Sequence, residues 1–590
     1  MQKLHNHYAN QLKKHEQKLV EVKKKIRLIR IFRSLIFFGF ITSIYFTYQI
    51  PNIPFFIGGI GVLIFGFLVS KHQNLKEKKN HVELKIAFNK TEISILEGNF
   101  VDRPDGKEFI NSMHHYSNDI DLFGKSSFFQ YVNRTATKKG KELLASLLTA
   151  NTINFIEDYQ KAIQELSKKY NWRENFTMLA QLASPKKKQI SNISLWIENY
   201  TSQLPSFLII LPKVFSIVSI FIFGLIIFDI ASFSLITTWF FIGLGISVFY
   251  LKKTQSLYTS ASSAKAIFKQ NYLLLEQIET ENFTSKVLKE KQSKIQIKEK
   301  KASSIFKEFS DVLNAFDQRN NLIIAVFGNG LFLWDIRNAS KTEAWIAKYK
   351  NVVNEWFEVV AFFDAYNSFG NFVFNHPNYI FPAIENKNQT IKATSLGHPL
   401  LKPVNRVDND FMLDSEHFFI ITGANMAGKS TFLRTLSLSV VMANCGLPVC
   451  AKAFKYSPIK LVTSMRTSDS LTDDESYFYS ELKRLKFIVD EIKEDTYFII
   501  LDEILKGTNS KDKAIGSKQF IEKLTRSKST GIIATHDVSL CELAEEYKQI
   551  QNYYFDAEIV NNELFFDYKM KEGICKNMNA SFLLKKMEIV

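Results

Sequence analysis

Cysteine is scarce in this chain, which has only four among its 590 residues: Cys445, Cys450, Cys541 and Cys575. None of them forms a CxxC pair, and no clustered histidines accompany Cys445 and Cys450. Structural zinc sites need closely spaced cysteine and histidine ligands, so we expect no zinc. A chain with few cysteines, none in a paired motif, is typical of a reducing cytosol rather than of disulfide-rich secreted proteins.

A small-residue cleavage site, the mark of a secretory signal, is also lacking after the basic start of the chain. Residues 1–33 contain ten Lys or Arg and two Glu, so 10 − 2 = 8 of the net charge of +16 lies there. A basic segment attracts either nucleic acid or an anionic membrane surface. Because this segment directly precedes an apolar run, we expect a basic helix that faces a membrane.

Charged residues are nearly absent from two long apolar runs, 34–70 and 206–251. The only two are Lys213 and Asp229, both in the second run. Each run divides at a turn signal into two stretches close to the ~20 residues that a transmembrane helix needs. The alternative is a pair of helical hairpins buried in a soluble core. We predict two transmembrane hairpins with four spans: Ser34–Ile50, Ile53–Ser70, Phe207–Phe228 and Ser232–Leu251.

Positive charge flanks these spans on one side only. The turns between paired spans contain no Lys or Arg, whereas the outer flanks carry many: Arg27, Arg30, Arg33, Lys71, Lys76, Lys78, Lys79, Lys186, Lys187, Lys188, Lys252 and Lys253. Positively charged flanks stay in the cytoplasm. We therefore expect a multi-pass membrane protein whose bulk is cytoplasmic.

Glycine and proline are infrequent in 80–205 and 254–375, where the apolar spacing predicts helices. After about residue 390, short β-branched and aromatic strands alternate with helices, which is the pattern of an α/β sheet. The predicted parts are a basic helix, a first hairpin, a helical core in two pieces separated by a second hairpin, and an ATPase domain: 1–33, 34–70, 71–205, 206–251, 252–390 and 391–590.

A phosphate-binding loop opens the last part. Residues 423–430, GANMAGKS, fit the GxxxxGK[ST] pattern between an apolar strand at 417–422 and a helical pattern. Backbone N–H groups of such a loop surround phosphates, while the lysine and the hydroxyl reach the outer phosphates and Mg²⁺. The candidate ATP-binding residues are Gly423, Ala424, Asn425, Met426, Ala427, Gly428, Lys429, Ser430 and Thr431.

Two further strands end in polar residues. The run 497–501 ends in Asp502 and Glu503, and the run 531–534 leads to His536. Asp502 is placed to join Ser430 as a Mg²⁺ ligand, Glu503 to activate the attacking water, and His536 to sense the γ-phosphate. ATP and Mg²⁺ are therefore the predicted cofactors, with Lys429, Glu503 and His536 as catalytic residues. The alternative to these catalytic roles is that Asp502 and Glu503 are solvated acids at the end of a strand and that His536 is structural.

These segments resemble the MutS superfamily of mismatch-repair ATPases. TGANMAGKST is similar to the family's TGPNMGGKST, DEILKGTNS to DEIGRGTST, and ATHD to the start of ATHYHEL. Residues 469–481 resemble the family's signature loop, and shorter phrases at 121–134, 332–335 and 396–399 resemble its core. The implied fold is a P-loop ATPase domain of ABC/MutS type after a mainly α-helical MutS-like core, here with the two transmembrane hairpins.

The resemblance also implies an assembly. Ser476 would reach the γ-phosphate bound by a second copy, so the active form would be a homodimer that closes on ATP binding and reopens on hydrolysis. The family also implies double-stranded DNA as a partner. Asp474 and Glu475 depart from the family pattern, and we find neither the Phe–Glu mismatch reader nor the DNA clamp.

Three functions remain open at this point. The first is a membrane-anchored MutS-like ATPase that acts near the membrane, with or without DNA. The second is an ATP-driven transporter, although the LSGGQ-type signature is missing. The third is a membrane signalling or scaffold component in which ATP occupancy acts only as a switch.

Overall fold

The computed structural model describes residues 2–50, 53–182, 193–296, 300–385, 389–424, 426–466, 477–560 and 563–576. Up to residue 375 these residues are mainly helical, although the connection 97–127 is irregular apart from one 3₁₀ turn. The helices are α1 (Gln2–Thr47), α2 (Ile53–Leu96), α3 (Phe128–Val132), α4 (Lys138–Thr149), α5 (Ile156–Lys168), α6 (Tyr170–Leu182), α7 (Ile193–Glu198), α8 (Leu211–Ile227), α9 (Phe233–Phe249), α10 (Leu251–Thr280), α11 (Lys286–Ser293), α12 (Ala302–Asp317), α13 (Asn329–Phe332) and α14 (Trp334–Asn375).

The first hairpin consists of α1 and α2, which pack side by side. The buried residues of α1 recur at about heptad spacing, at Tyr8, His15, Val22 and Ile26, as in an antiparallel coiled coil. Beyond this seam the apolar parts of both helices are exposed, and Phe46 is 77% exposed. The predicted basic helix and first span are thus one continuous helix, because no helix-breaking residue separates them, and α2 likewise continues past residue 70.

The second hairpin consists of α8 and α9, each of 17 residues, and α10 continues from α9 after a bend of 63°. A π-helical turn at Ile324–Gly328 and α13 pack against this hairpin. The Ser219 hydroxyl donates to the Leu331 carbonyl at 2.6 Å, and a Cβ added at Gly243 would lie 2.2 Å from the Gly330 carbonyl oxygen. The apolar segment 324–332 lies within the predicted core part 252–390. In the structure it packs beside the second hairpin.

Among the described residues, two helices are long and apolar enough to cross a membrane, Gln2–Thr47 and Phe56–Leu96. The bent pair Phe233–Phe249 and Leu251–Thr280 would make a third if it is one span, and Leu211–Ile227 is a shorter apolar helix.

The 42-residue helix α14 is the centre of the helical core. Helices α4, α5, α10 and α12 pack around it, and its large side chains, including Trp356 and Phe363, are fully buried. One buried apolar cluster continues from these helices into the C-terminal part, where it includes Phe432 and Leu436. The helical core and the C-terminal domain therefore share a core.

The C-terminal part is α/β. Its helices are α15 (Lys429–Asn444), α16 (Tyr477–Glu494), α17 (Ser510–Thr525) and α18 (Leu543–Glu546). Its strands are β1 (Ala383–Ile384), β2 (Gln389–Leu396), β3 (Asn409–Asp414), β4 (Phe418–Gly423), β5 (Ala453–Tyr456), β6 (Lys460–Ser464), β7 (Tyr497–Asp502), β8 (Thr530–Ala534), β9 (Ile550–Phe555), β10 (Glu558–Val560), β11 (Glu563–Phe565) and β12 (Met570–Glu572).

The main sheet has the order β12-β9-β4-β8-β7-β6. Its strands from β9 to β6 are parallel, as the sequence predicts, and all residues of β4 and β8 are buried, as in a sheet covered on both faces. The antiparallel edge strand β12 and a separate sheet, β1-β5-β2-β3, were not predicted. Their strands lack the continuous apolar runs that identify the buried strands.

Candidate functional site

The site lies at the carboxyl ends of three neighbouring parallel strands, β4, β8 and β7. The Thr535 N–H donates to the Ile421 carbonyl and the Glu503 N–H to the Ala534 carbonyl, each at 2.9 Å. The order of the strands in the sheet thus brings together segments separated by more than a hundred residues of chain. Ligands of open parallel sheets bind at this edge.

The phosphate loop joins β4 to α15 and depends on glycine at both ends. Gly423 and Gly428 have φ angles of 145° and 105°, which side chains other than hydrogen adopt only with strain. A Cβ at Gly423 would also lie 2.5 Å from the Phe555 carbonyl oxygen. Between them, Ala427 is buried and Met426 is exposed with φ 67°, while Asn425 lies outside the described residues. The loop therefore turns the N-terminus of α15 toward the site.

Lys429, the first residue of α15, extends back across the loop. Its ammonium group donates to the carbonyls of Gly423 and Ala424 at 2.7 and 3.0 Å, and lies 3.4 Å from His536 Nε2. Burial lowers the pKa of Lys429, while the carboxylates of Asp502 and Glu503 oppose this shift. A buried ammonium group next to backbone N–H donors is suited to an anion such as a triphosphate.

Ser430 and Asp502 meet at the same edge: the Ser430 hydroxyl donates to Asp502 Oδ2 at 2.5 Å. A hydroxyl and a carboxylate are hard oxygen ligands, and Mg²⁺ typically takes one or two such protein ligands together with phosphate oxygens and water. The pair therefore fits Mg²⁺. No group of three or more His, Cys, Asp or Glu that could hold a metal ion occurs in the described part of the chain.

Glu503 and His536 form the second pair of the site, with Glu503 Oε1 2.8 Å from His536 Nε2. The hydrogen bond from His536 outweighs burial and lowers the pKa of Glu503 to about 2. Lys506 Nζ, 3.7 Å from Glu503 Oε2, adds to this effect. Glu503 also has a positive φ of 54°, an uncommon conformation that concentrates at functional sites. The carboxylate is thus held ionised at the position next to Asp502.

These groups line one cavity of about 630 Å³, within the usual range for ligand sites. The cavity wall includes residues that the sequence analysis did not assign: His398, Leu401, Asn405, Arg406, Phe555 and Tyr568. Burial lowers the pKa of His398 to about 4, so this ring is neutral at physiological pH. Only His398 had a signal in the sequence, since it lies in one of the phrases with family resemblance. Leu401, Asn405 and Arg406 follow His398 in the connection between β2 and β3, Phe555 ends β9, and Tyr568 precedes β12.

A further unassigned residue, Glu481 of α16, lies behind the end of β7 and is 2% exposed. Burial raises the pKa of its carboxyl, and hydrogen bonds from the backbone N–H groups of Leu505, Gly507 and Lys506 oppose the rise. Glu481 thus holds the loop that follows Glu503. The sequence contained this residue at the end of the signature-like segment, but its role depends on contact with a separate loop.

The structure brings together Gly423, Ala424, Met426, Ala427, Gly428, Lys429, Ser430, Thr431, Asp502, Glu503 and His536 at this edge of the sheet. Ser476, predicted to act on the site of a second copy, lies outside the described residues, as do Asp474 and Glu475.

Comparison with known proteins finds similarity in the part of the chain that forms this site. Residues 419–586 match MutS domain V. The chain is 29% identical to human MutS protein homolog 4 over 203 residues, which are 32% of this chain and 21% of that protein. It is 31% identical to the DNA mismatch repair protein MutS of Bacteroides thetaiotaomicron over 225 residues, 36% of this chain and 26% of that protein.

A third relative is the DNA mismatch repair protein MSH4 of Arabidopsis thaliana, 29% identical over 197 residues, 32% of this chain and 24% of that protein. The chain thus spans about a quarter of the length of the relatives that it matches. The similarity to the MutS superfamily rests on the C-terminal part, where the chain matches MutS domain V.

Proposed function

We propose that this chain, which carries a MutS-type ATPase domain, is a membrane-anchored enzyme that hydrolyses ATP to ADP and phosphate. The observation that carries the proposal is the junction of two pairs at one sheet edge: Ser430 with Asp502 at 2.5 Å, and Glu503 with His536 at 2.8 Å. The first pair suits a phosphate-bound cation and the second suits a water molecule.

The chain's own residues divide the reaction between them. Lys429 and the N-terminus of α15 bind and orient the triphosphate. Ser430 and Asp502 would hold Mg²⁺, which when bound neutralises charge on the phosphate oxygens. Glu503 accepts a proton from water as the water oxygen bonds to the γ-phosphorus and the bond to the β,γ-bridging oxygen breaks, so that ADP leaves. His536 holds the Glu503 carboxylate in place for this step.

The experiment is ATP turnover by the purified full chain in detergent, comparing Glu503→Gln with the wild type. Glutamine retains the shape but cannot accept the proton, so we expect turnover to fall by about 10²-fold or more while ATP still binds. Glu494→Gln, on the exposed end of α16, is the matched control and should be unchanged. Turnover that survives in the Glu503 variant would overturn the assignment of the base.

We propose a dimer as the active form. The support comes from the relatives' family, whose signature serine completes the site of a second copy, and from Met426, which is 77% exposed beside the cavity. ATP binding would close the two copies on each other, and hydrolysis would release them. Light scattering of the Glu503→Gln chain should show dimers with ATP and fewer without it. A Ser476→Ala chain should retain ATP affinity but lose turnover.

The membrane anchor is the second part of the proposal. Its support is the exposure of the apolar side chains on both hairpins, including Phe46, Val62, Phe223 and Phe249, and the positive charge that flanks the hairpins but is missing from their turns. We expect the chain to stay in the membrane fraction after carbonate extraction at high pH. Recovery in the soluble fraction would overturn the anchor and leave the ATPase assignment intact.

The ATPase domain lies close to the end of the first hairpin. Helix α2 leaves the apolar region and ends at Leu96, and a Cβ at Gly98 just beyond would lie 3.4 Å from the side chain of Lys402. Leu401 and Asn405, which flank Lys402, line the nucleotide cavity. This spatial continuity supports a proposal that closure of the dimer acts on the hairpin.

Duplex DNA is the proposed partner of the helical core, on the strength of relatives named for DNA mismatch repair. Retention of duplex DNA should decrease steeply with salt, because phosphate contacts release counterions. If the detergent-purified chain retains no duplex even at low salt, the transport or signalling function without DNA takes precedence.

A further inference from the structure

Three positively charged side chains lie at the end of the second hairpin where α8 begins, and Arg337 and Lys213 both act electrostatically on Lys341. Lys213 is in the first turn of α8, while Arg337 and Lys341 are one turn apart on the exposed face of α14. The Ser340 hydroxyl donates to the Leu208 carbonyl at 3.1 Å, and this bond holds α14 against the turn that leads into α8. The two helices therefore keep the three cations close to each other.

These cations have no acid of their own in the described structure. Nearby acids are paired elsewhere: Asp317 with Lys265, Asp335 with Arg319 at 3.0 Å, and Glu308 with Lys300 at 2.5 Å. Buried Glu343 accepts hydrogen bonds from Tyr200, Ser202, Gln203 and Leu204. The positive charge at this place is thus only partly compensated, by Glu308 and Asp311 in the neighbouring groove.

Repulsion between the cations affects the pKa of Lys341. Burial lowers the pKa of its ammonium group first, and the positive charges of Arg337 and Lys213 lower it further. Glu308 opposes the shift only weakly, as the last of the causes. An anion bound between the three groups would relieve this repulsion.

A groove of about 650 Å³ extends from Lys341 along the surface between α12 and α14. Its wall carries Lys300, Lys307, Lys341 and Lys348 against only two acids, Glu308 and Asp311, and small residues, Ala315 and Ala344, keep it open. The groove is therefore basic and large enough for the headgroup of a phospholipid.

Apolar side chains adjoin the same cations on the hairpin side. Phe207, Ile209 and Ile210 precede Lys213 and are about half exposed or more, and Leu322 and Ile323 beside the hairpin are 78% and 67% exposed. A surface on which cations directly border exposed apolar residues matches the boundary between headgroups and acyl chains. Duplex DNA has no apolar part that would cover such residues.

We propose that Lys213, Arg337 and Lys341 bind the phosphate of an anionic phospholipid headgroup, whose acyl chains lie along the second hairpin. This inference rests on the membrane anchor proposed above. It adds a defined site and a lipid class, since a neutral zwitterionic lipid would bring its own cation to the three positive groups.

The test is native mass spectrometry of the full chain in detergent, titrated with phosphatidylglycerol or phosphatidylcholine. We expect tighter binding of phosphatidylglycerol, and a loss of affinity of roughly tenfold or more in the double variant Arg337→Gln/Lys341→Gln. The matched control is Lys286→Gln/Lys289→Gln, which removes two exposed charges from α11 and should leave affinity unchanged. If the double variant does not fold, judged by its unfolding midpoint, the exposed Lys213→Gln variant replaces it.

Two further measurements distinguish an anionic phospholipid from other anions that could bind here. Displacement of the lipid by millimolar inorganic phosphate, with equal binding of both lipids, would overturn the inference in favour of a soluble phosphate. Binding of a short DNA duplex that the double variant abolishes would overturn it in favour of nucleic acid. A chain that resists carbonate extraction but shows no lipid preference refutes this site alone, whereas a chain found in the soluble fraction refutes the anchor itself.

Discussion

Glu92 on α2 and Arg134 before α4 form a fully buried ion pair. Arg134 Nε donates to Glu92 Oε1 at 2.6 Å and its Nη2 to Oε2 at 3.2 Å, while the Asn375 amide donates to Oε2 at 2.8 Å. Burial by itself raises the pKa of Glu92, but the charge and hydrogen bonds of Arg134 outweigh it and lower that pKa. The pair fastens the helix of the first hairpin to the helical core.

Glu92→Gln should destabilise the chain by about 3–5 kcal/mol, because it leaves the Arg134 charge buried without a partner. Denaturant unfolding in detergent at neutral pH measures this. The control is Lys90→Gln on the same helix, whose contact with Glu16 is exposed at 4.0 Å and worth about 0–1 kcal/mol. Because the folded pKa of Glu92 is lowered, its contribution is present above the ordinary value of 4.5 and is lost as pH falls below it. Equal midpoints for the two variants would contradict the prediction.

His536→Ala should change the pH dependence of ATP turnover as well as its rate. It removes the largest cause that lowers the pKa of Glu503 from 4.5 to about 2, so that pKa should rise toward 4.5. The acid limb of the rate profile should then show protonation of Glu503, which the wild type does not show until about pH 2. The stability supplied by ionised Glu503 is likewise present above 4.5 and lost as pH falls.

The measurement is initial phosphate release across pH, with His5→Ala on α1 as the control variant. His5 is exposed and lies 3.6 Å from Glu97, far along the chain from the site. Identical acid limbs in wild type and His536→Ala would show that the histidine does not hold the carboxylate.

Gly243→Ala should destabilise the second hairpin, although alanine is normally the better helix residue by about 1 kcal/mol. A Cβ at this position would lie 2.2 Å from the backbone oxygen of Gly330, which cannot move aside as a flexible side chain can. Overpacking of this kind costs about 1–3 kcal/mol. The matched control is Gly245→Ala on the same helix, where a Cβ meets nothing within 4 Å. Thermal unfolding in detergent should separate the two variants, and a Gly243→Ala chain as stable as Gly245→Ala would refute the close approach.

Ile323→Cys should be shielded by lipid in intact membranes, because Ile323 belongs to the exposed apolar segment beside the second hairpin. Lys252→Cys, at the exposed start of α10, should react with a membrane-impermeant maleimide added to inside-out vesicles. Of the native cysteines, three are buried and Cys445 is partly buried, so the wild type sets the background. Labelling of both positions at the same rate would place the segment in water.

The nucleotide site was predictable where chemistry is local in the sequence. The glycines, Lys429 and Ser430 belong to one loop, so their spacing alone predicts their proximity. Glu481 on α16 and Tyr568 before β12 were not predictable as site residues, because only folding brings these separate segments close to the site.

The helical hairpins likewise have features that the local sequence predicts and features that only packing decides. Long charge-free runs predicted four apolar helices near 34–70 and 206–251, since hydropathy needs no knowledge of neighbours. The apolar segment at 322–332 is too short to be predicted as a span. Only the tertiary structure shows that it lies beside α8 and α9 with exposed apolar side chains.

The sequence by itself determined the phosphate loop, the buried parallel strands and the apolar hairpins, because each depends on residue type at short spacing. Only the tertiary structure decided that Glu92 meets Arg134 in the core and that Lys213 comes within electrostatic reach of Lys341 where α8 begins. A charged residue on a helix has the same local pattern whether its side chain is solvated or buried. Its partner is set by the packing of distant segments, and that packing determines both the energy and the function of the charge.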